Sequence, residues 1–396
     1  MAQRKKIIVA YPAMMIGGST TSLLSILNRL DYEKYDVDLL LNLHSGELLD
    51  KIPEKVNLLP PAKKYTDPKK DKLHRILSPR YMCTYMKGKS IAKKSGVPIH
   101  LAQYMEMKDV EFFRKVEGEY DVAIAFLEGD RCKFVARHIN AKRKLAWIHI
   151  NYADSKFNPD YDRESMSAFD KIVLVSEDCK VDFDKAFPEL SSRTCVIENI
   201  LSTEYVRSMA DEESDLKIDK NRINLVSTCR INFRSKGLDR AVEAMSMLKN
   251  EGLLKNIAWY VFGDGQDMAA FKNMIKENGL EDVIFPLGMK KNPLKHLKDM
   301  TMFFLPSRFE GKPMAVTEAF MVGLPVLVTE YSSAREQIRD GVDGIITENS
   351  TDGIYNGLKA LLTGDFSVAE LKKNVLSNDY SNIEEIEKVE KLIDGD

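Results

Sequence analysis

FLPSRFEGKPMAVTEAFMVGLPVLV, residues 304–328, decides the fold. Residues 302–305 predict a short buried strand and 306–312 a loop. An apolar helix follows, and Pro313 suits its first position, where a missing N–H costs nothing. Gly323 is a helix stop and Pro325 opens the next strand, so the stretch is one unit of a parallel α/β sheet. The start of such a helix leaves backbone N–H groups without intrahelical partners, an arrangement that favours an anion. Gly311, Lys312, Met314 and Ala315 can donate there; Pro313 cannot. Glu310 lies in the loop and Glu318 about a turn and a half into the helix. Both carboxylates can therefore face a polar ligand above the helix end.

The length of 396 residues suits two domains, and 44% hydrophobic with 30% charged residues excludes a disordered chain. Residues 1–200 hold 33 Lys and Arg against 28 Asp and Glu, a net of +5, and the remainder 25 against 32, a net of −7. The first half is thus the one to meet something anionic. Five scattered cysteines without Cys-x-x-Cys spacing predict reduced thiols, not a disulfide frame or zinc site. The apolar run at residues 7–11 is short for a signal peptide. The longest nearly apolar stretch, 313–329, contains Glu318, Gly323 and Pro325, so no membrane span is expected. The expected location is cytoplasmic.

Strand-like and helical patterns alternate along both halves, as in doubly wound parallel sheets. Strands are expected at 6–10, 37–43, 122–126, 144–149, 171–176 and 194–197, with helices at 19–30 and 177–187. A polar stretch, 201–222, reads as a linker. The second series has strands at 223–228, 257–262, 283–285, 302–305 and 326–329, and helices at 237–250 and 267–278. A charged helix, 382–393, ends the chain. Ligands of such sheets bind beyond the carboxyl ends of the strands. The loops there carry Gly17-Gly18 before a Ser19-Thr20-Thr21 cluster, Asp130-Arg131, His149, Arg230 with Lys236, and Gly263 in GDG. Neither a Walker loop nor a dinucleotide fingerprint is present.

The pattern Pro306-Ser307-x-x-Glu310-Gly311-x-Pro313, then Glu318-Ala319 and Gly323-x-Pro325-Val326, resembles the signature of retaining glycosyltransferases of family 4. The resemblance implies the GT-B fold, two Rossmann-like domains facing each other across a cleft. It places an acceptor-side domain at 1–200, a nucleotide-sugar domain at 223–381, and a final helix at 382–396 crossing back to the first. It implies that Glu318 bonds the ribose, that Arg230 and Lys236 hold the donor diphosphate, and that Glu310 and His149 orient the sugar. Gly17, Gly18, Gly263, Met289 and the amides of Gly311, Lys312, Met314 and Ala315 would complete the donor site. Cys229, where the family commonly has Gly, and the additional cation Arg234 depart from the pattern. They leave open which Arg points inward.

The expected reaction transfers a sugar from a UDP-linked donor, with retention, to a hydroxyl of a cell-surface glycan, glycolipid or polyanionic polymer. Alternatives are a GT-B nucleotide-sugar epimerase and a noncatalytic GT-B partner subunit. No cofactor or metal is expected. Asp36-Val37-Asp38 reads as preceding its strand and Asp182-Phe183-Asp184 as lying inside a helix, whereas a metal-binding Asp-x-Asp closes an apolar strand. Asp130 and Arg131 are candidate acceptor contacts. Residues 63–94 carry eleven Lys and Arg against Asp67 and Asp71, interleaved with Leu, Ile, Tyr and Met. This segment, with Lys87, Lys89, Lys93 and Lys94, predicts contact with an anionic membrane or polyanionic acceptor. No nucleic-acid partner is expected.

Overall fold

The computed structural model describes residues 4–64, 66–109 and 113–395. The chain divides into two compact units, Met1–Ile200 with Glu384–Asp396, and Leu201–Ile383.

Unit 1 holds seven parallel strands, β1 (Lys5–Tyr11), β2 (Tyr35–Leu41), β3 (Asn57–Leu58), β4 (Tyr120–Ala125), β5 (Ala141–Ile148), β6 (Lys171–Leu174) and β7 (Thr194–Val196). Their order is β3-β2-β1-β4-β5-β6-β7. Strand β1 is buried from Ile7 to Tyr11, as expected of a central parallel strand covered on both faces. The last helix, Glu385–Asp394, buries Val389, Leu392 and Ile393 in this unit. Its Asp394 carboxylate accepts from Lys5 Nζ at 2.6 Å and from the Tyr35 hydroxyl at 3.0 Å.

Unit 2 holds six parallel strands, β8 (Ile223–Thr228), β9 (Ile257–Phe262), β10 (Ile284–Gly288), β11 (Met302–Leu305), β12 (Val326–Thr329) and β13 (Gly344–Thr347). Their order is β10-β9-β8-β11-β12-β13. Apolar clusters cover both faces of this sheet. Trp259 is wholly buried, and its indole N–H donates to Ser227 Oγ at 2.7 Å, so its burial leaves no polar atom unpaired. In both units the strand order reverses beside the first strand, between β1 and β4 and between β8 and β11. The loops after those four strands flank the crevice where such sheets take ligands.

Residues 201–222 are not a bare linker. They belong to unit 2 and contain the helix Thr203–Ala210, which buries Val206 and Ala210. Arg207 Nε donates to the Met321 carbonyl at 3.1 Å, fastening this helix to the end of the signature helix. Two apolar residues one helical turn apart suffice for docking, although charged neighbours hide them in composition. Asp36 and Asp38 lie within β2 rather than before it. Asp38 accepts from Asn57 at 2.7 Å and from the Tyr120 hydroxyl at 2.7 Å, so its role is to tie strands. Asp184 ion-pairs with Lys180 at 2.7 Å inside the helix Glu177–Ala186.

Candidate active site

In unit 2 the signature forms β11, a loop, and the helix Met314–Met321. Pro313 is the residue before the helix (φ −68°, ψ 113°), one position earlier than expected. Met314 and Ala315 open the helix, so their N–H groups have no acceptor within it. At the other end Gly323 takes φ +81°, and its N–H bonds the Phe320 carbonyl at 2.9 Å. Glycine accepts this left-handed turn without the steric cost of a Cβ.

The loop brings charges together across the switch point. Lys236 Nζ lies 2.5 Å from Glu310 Oε1, and the buried Ser307 hydroxyl donates to the same oxygen at 2.5 Å. Lys236 ends the short helix Phe233–Lys236, which Asn232 caps through the Ser235 N–H at 3.0 Å. Gly237 then turns at φ +60°, where an added Cβ would stand 2.2 Å from the Pro306 carbonyl oxygen. Only glycine lets the loop after β8 lie against the loop after β11. The Arg308 N–H closes the seam on the Ser235 carbonyl at 2.7 Å.

Four residues that the signature did not single out brace this loop. Arg308 pairs with both Asp239 carboxylate oxygens, at 2.6 and 2.7 Å. Arg240 donates to the Asn349 carbonyl at 2.9 Å and to its Oδ1 at 2.7 Å, while Asn349 Nδ2 donates to the Arg308 carbonyl at 2.8 Å. Asn349 stands beyond β13, so no local spacing could reveal it.

Glu318 is half-buried and has no hydrogen-bond partner among the described residues. Burial alone pushes its pKa up to about 7. Burial also raises the Tyr205 hydroxyl, and the Glu318 charge raises it further, so this tyrosine of the docked helix stands near the carboxyl. Arg230 is exposed, with no ion-pair partner among the described residues. Gly263 (φ +138°) has no room for a Cβ, which would stand 1.8 Å from the Cys229 carbonyl oxygen. Cys229 is therefore backbone support, its thiol pushed up to about 12 chiefly by burial. Met289 follows β10 and is 49% exposed, leaving its side chain available to a ligand.

In unit 1, Gly17 and Gly18 stand exposed at the start of the helix Gly18–Arg29. A Cβ on Gly17 would meet nothing within 4 Å. The hydroxyls of the Ser19-Thr20-Thr21 cluster are engaged within the unit. Ser19 and Thr20 bond the Tyr11 hydroxyl at 2.7 and 3.0 Å, and Thr21 donates to the Gly17 carbonyl at 3.2 Å. Any anion there would meet backbone N–H groups rather than this cluster.

His149 follows β5, its ring 5.1 Å from that of Phe126. Burial pulls its pKa down to about 4 against weaker opposing pulls from Asn199 and the Phe126 backbone, and neither ring nitrogen has a well-formed hydrogen bond. Its imidazole is thus neutral at physiological pH. The expected acceptor role of Arg131 is corrected: the side chain is wholly buried between the rings of Phe113 and Phe134 and pairs with Asp130 at 3.0 Å. Its helix, Asp130–His138, buries all five residues from Arg131 to Val135, and pairing with Asp130 offsets the cost of burying the cation. Asp130 keeps partial exposure; burial raises its pKa, but Arg131 and Asn42 more than offset this, and the carboxyl stays below its usual range.

Residues 63–94 form the helices Pro68–Leu77 and Pro79–Ser95, started by the capping residues Asp67 and Ser78. Tyr65 lies outside the described residues. Lys87, Lys89, Lys93 and Lys94 are exposed, and so are Leu73, Ile76, Leu77, Met82 and Met86. No helix among the described residues is long and apolar enough to cross a membrane.

Comparison with known proteins agrees with this geometry. Residues 209–378 match the family of glycosyl transferases group 1. An uncharacterized glycosyltransferase of Methanocaldococcus jannaschii is 23% identical over 238 residues, 58% of this chain and 57% of that protein. The UDP-Gal:alpha-D-GlcNAc-diphosphoundecaprenol alpha-1,3-galactosyltransferase of Escherichia coli is 27% identical over 154 residues, 38% of this chain and 40% of that protein. The alignments thus span less than two thirds of these relatives. Among solved structures, Anabaena Alr3699/HepE in complex with UDP and glucose superposes with a TM-score of 0.72 at 14% identity, covering 99% of this chain and 100% of that one. The chain therefore has the GT-B fold, and residues 209–378 of its second unit match the glycosyl transferases group 1 family.

Proposed function

We propose that the protein is a retaining, metal-independent glycosyltransferase that moves a sugar from a UDP-linked donor to a hydroxyl of a cell-surface glycan or lipid-linked acceptor. The observation that carries this reading is the Lys236–Glu310 pair, held by Ser307 at the switch point of the second sheet. A fixed cation there stabilises the negative charge that grows on the departing diphosphate. Arg230 supplies a second cation. Glu310 and the Met314 and Ala315 amides bind hydroxyls of the transferred sugar, and Glu318 accepts from the ribose. The His149 imidazole, being neutral, can both donate to and accept from sugar hydroxyls.

In this reading the bond from the anomeric carbon to the diphosphate breaks as the acceptor oxygen bonds to the same face. The acceptor proton passes to a phosphate oxygen of the leaving group. The cations after β8 do the work a metal would otherwise do, so none is required. The Escherichia coli relative, whose name specifies a UDP-Gal donor and a diphosphoundecaprenol-linked acceptor, supports this donor and acceptor class. The exposed apolar and basic helices of residues 68–95 suit the interfacial layer of an anionic membrane, where a lipid-linked acceptor would be met.

Calorimetric titration with UDP and UDP-sugars tests the donor assignment. Binding with EDTA present, followed by an NMR assignment of the product linkage as the donor anomer, is the expected result. Absence of UDP binding would overturn the reading, and isomerised donor in the absence of acceptor would identify an epimerase.

A further inference from the structure

The loop after β4 holds a carboxyl that none of the assigned roles uses. Glu128 Oε2 accepts the backbone N–H of His149 at 3.0 Å, bridging the ends of β4 and β5. The residue keeps partial exposure, and no side chain among the described residues donates to it. Burial raises its pKa, the His149 amide opposes that, and Asp130 and Asp162 add to the rise. Nearby, Asn42 Oδ1 at the end of β2 is buried without a hydrogen bond, and the buried His149 ring nitrogens, on which Asn199 and the Phe126 backbone pull only weakly, make no well-formed one.

The chemistry of this set is selective. Glu128 and Asn42 Oδ1 accept, and a neutral imidazole donates through one nitrogen and accepts through the other. Sugar hydroxyls, each a donor and an acceptor, satisfy such a set. An anion does not fit, because Glu128 and Asp130 repel it and the nearest cations are already committed. Arg131 pairs with Asp130, and the buried Lys133 with Asp162 at 2.8 Å. The net positive charge of the first half therefore lies elsewhere, much of it on the helices of residues 68–95.

We propose that Glu128 is a positioning residue that accepts a hydrogen bond from a hydroxyl of an uncharged acceptor sugar, beside the His149 imidazole. The proposal rests on the glycosyltransferase reading and narrows its acceptor to a neutral sugar at the reacting end. Losing a hydrogen bond to a charged group weakens binding by about ten- to a hundredfold.

Saturation-transfer NMR tests it on the full chain in the presence of UDP, with methyl α-D-glucopyranoside, methyl α-D-galactopyranoside and methyl α-D-glucuronide as probes. The two neutral glycosides should give signals with the wild type, and the uronate none. Glu128→Ala should lose these signals. Glu128→Gln, which keeps a carbonyl oxygen for the hydroxyl and for the His149 amide, should retain a measurable part of them. UDP affinity by calorimetry should be equal in all three proteins. Unchanged glycoside signals in Glu128→Ala, equal binding of the uronate, or no signal with any probe would overturn the inference while leaving the donor reading intact. Loss of UDP binding in the wild type would instead sink the parent reading.

Discussion

Lys236 Nζ and Glu310 Oε1 stand 2.5 Å apart across 74 positions of sequence, joining the loops after β8 and β11. The pair is largely buried, with 20% and 10% of the two side chains exposed. The cation assigned to the diphosphate and the carboxylate assigned to the sugar thus hold each other before any donor arrives.

Lys236→Ala strands a mostly buried carboxylate with Ser307 as its remaining donor. We expect a loss of about 3 kcal/mol of unfolding free energy, the scale for breaking a buried pair from one side. The Lys236→Ala, Glu310→Gln double variant should recover much of that stability and remain inactive. Urea titrations and turnover assays on the same preparations check both halves. Recovered turnover in the double variant would mean that the pair is only structural.

Glu318 has a folded-state pKa of about 7 against an ordinary value of 4.5. A raised carboxyl pKa means that the folded state holds the proton more tightly, so stability falls as pH rises from 4.5 to 7. Glu318→Gln removes this cost, and the free protein should gain up to about 3 kcal/mol at pH 8 and almost nothing at pH 4.5. The same variant should bind uridine more weakly at pH 8, by about tenfold or more. Uridine carries no phosphate to titrate, so calorimetry at pH 6 and pH 8 isolates the carboxyl. Equal uridine affinity in the variant at pH 8 would refute the ribose assignment.

Two glycines should respond in opposite ways. Gly237→Ala combines φ +60° with a Cβ 2.2 Å from the Pro306 oxygen, so we expect it to lose at least 1–3 kcal/mol of stability, the scale of local backbone strain. Gly17→Ala has open space for its Cβ and should melt within about 0.5 kcal/mol of the wild type, as surface substitutions do. Its turnover should nevertheless fall if the donor approaches that backbone. Thermal melts and initial rates separate the two effects, and full activity in Gly17→Ala would remove this loop from the site.

The helices of residues 68–95 should bind anionic vesicles. Reversing Lys87, Lys89, Lys93 and Lys94 to Glu removes about 1 kcal/mol of attraction per basic residue near the surface, before adding repulsion. Sedimentation with phosphatidylglycerol vesicles should be lost in this variant and weakened in Leu77→Glu, Met86→Glu. UDP affinity should be unaffected. A wild type that stays in the supernatant at low salt would end the membrane proposal.

Local pattern reached far into this chain. The strands at 223–228, 257–262, 302–305 and 326–329 match β8, β9, β11 and β12 in their bounds, because buried parallel strands are apolar runs between breakers. The helices Pro68–Leu77 and Pro79–Ser95 were legible only as a basic segment, since none of the residues of the first is buried and its short apolar stripe, Leu73, Ile76 and Leu77, is exposed among basic residues. The docked helix Thr203–Ala210 was missed for a related reason: two buried residues leave too weak a period to stand out among charges.

By itself the sequence determined the alternation of strands and helices, the start of the signature helix to within one residue of Pro313, and the identity of the residues after each strand. Those depend on neighbours within a turn or two, where spacing is geometry. The tertiary structure decided which of those residues meet. It paired Lys236 with Glu310, braced the loop with Asn349, sank Arg131 between two rings, and set the Glu128 carboxyl on the His149 amide. Each follows from strand order and from burial, which together set a side chain's neighbours and its dielectric surroundings. Both are properties of the packed sheet, and no window of sequence contains them.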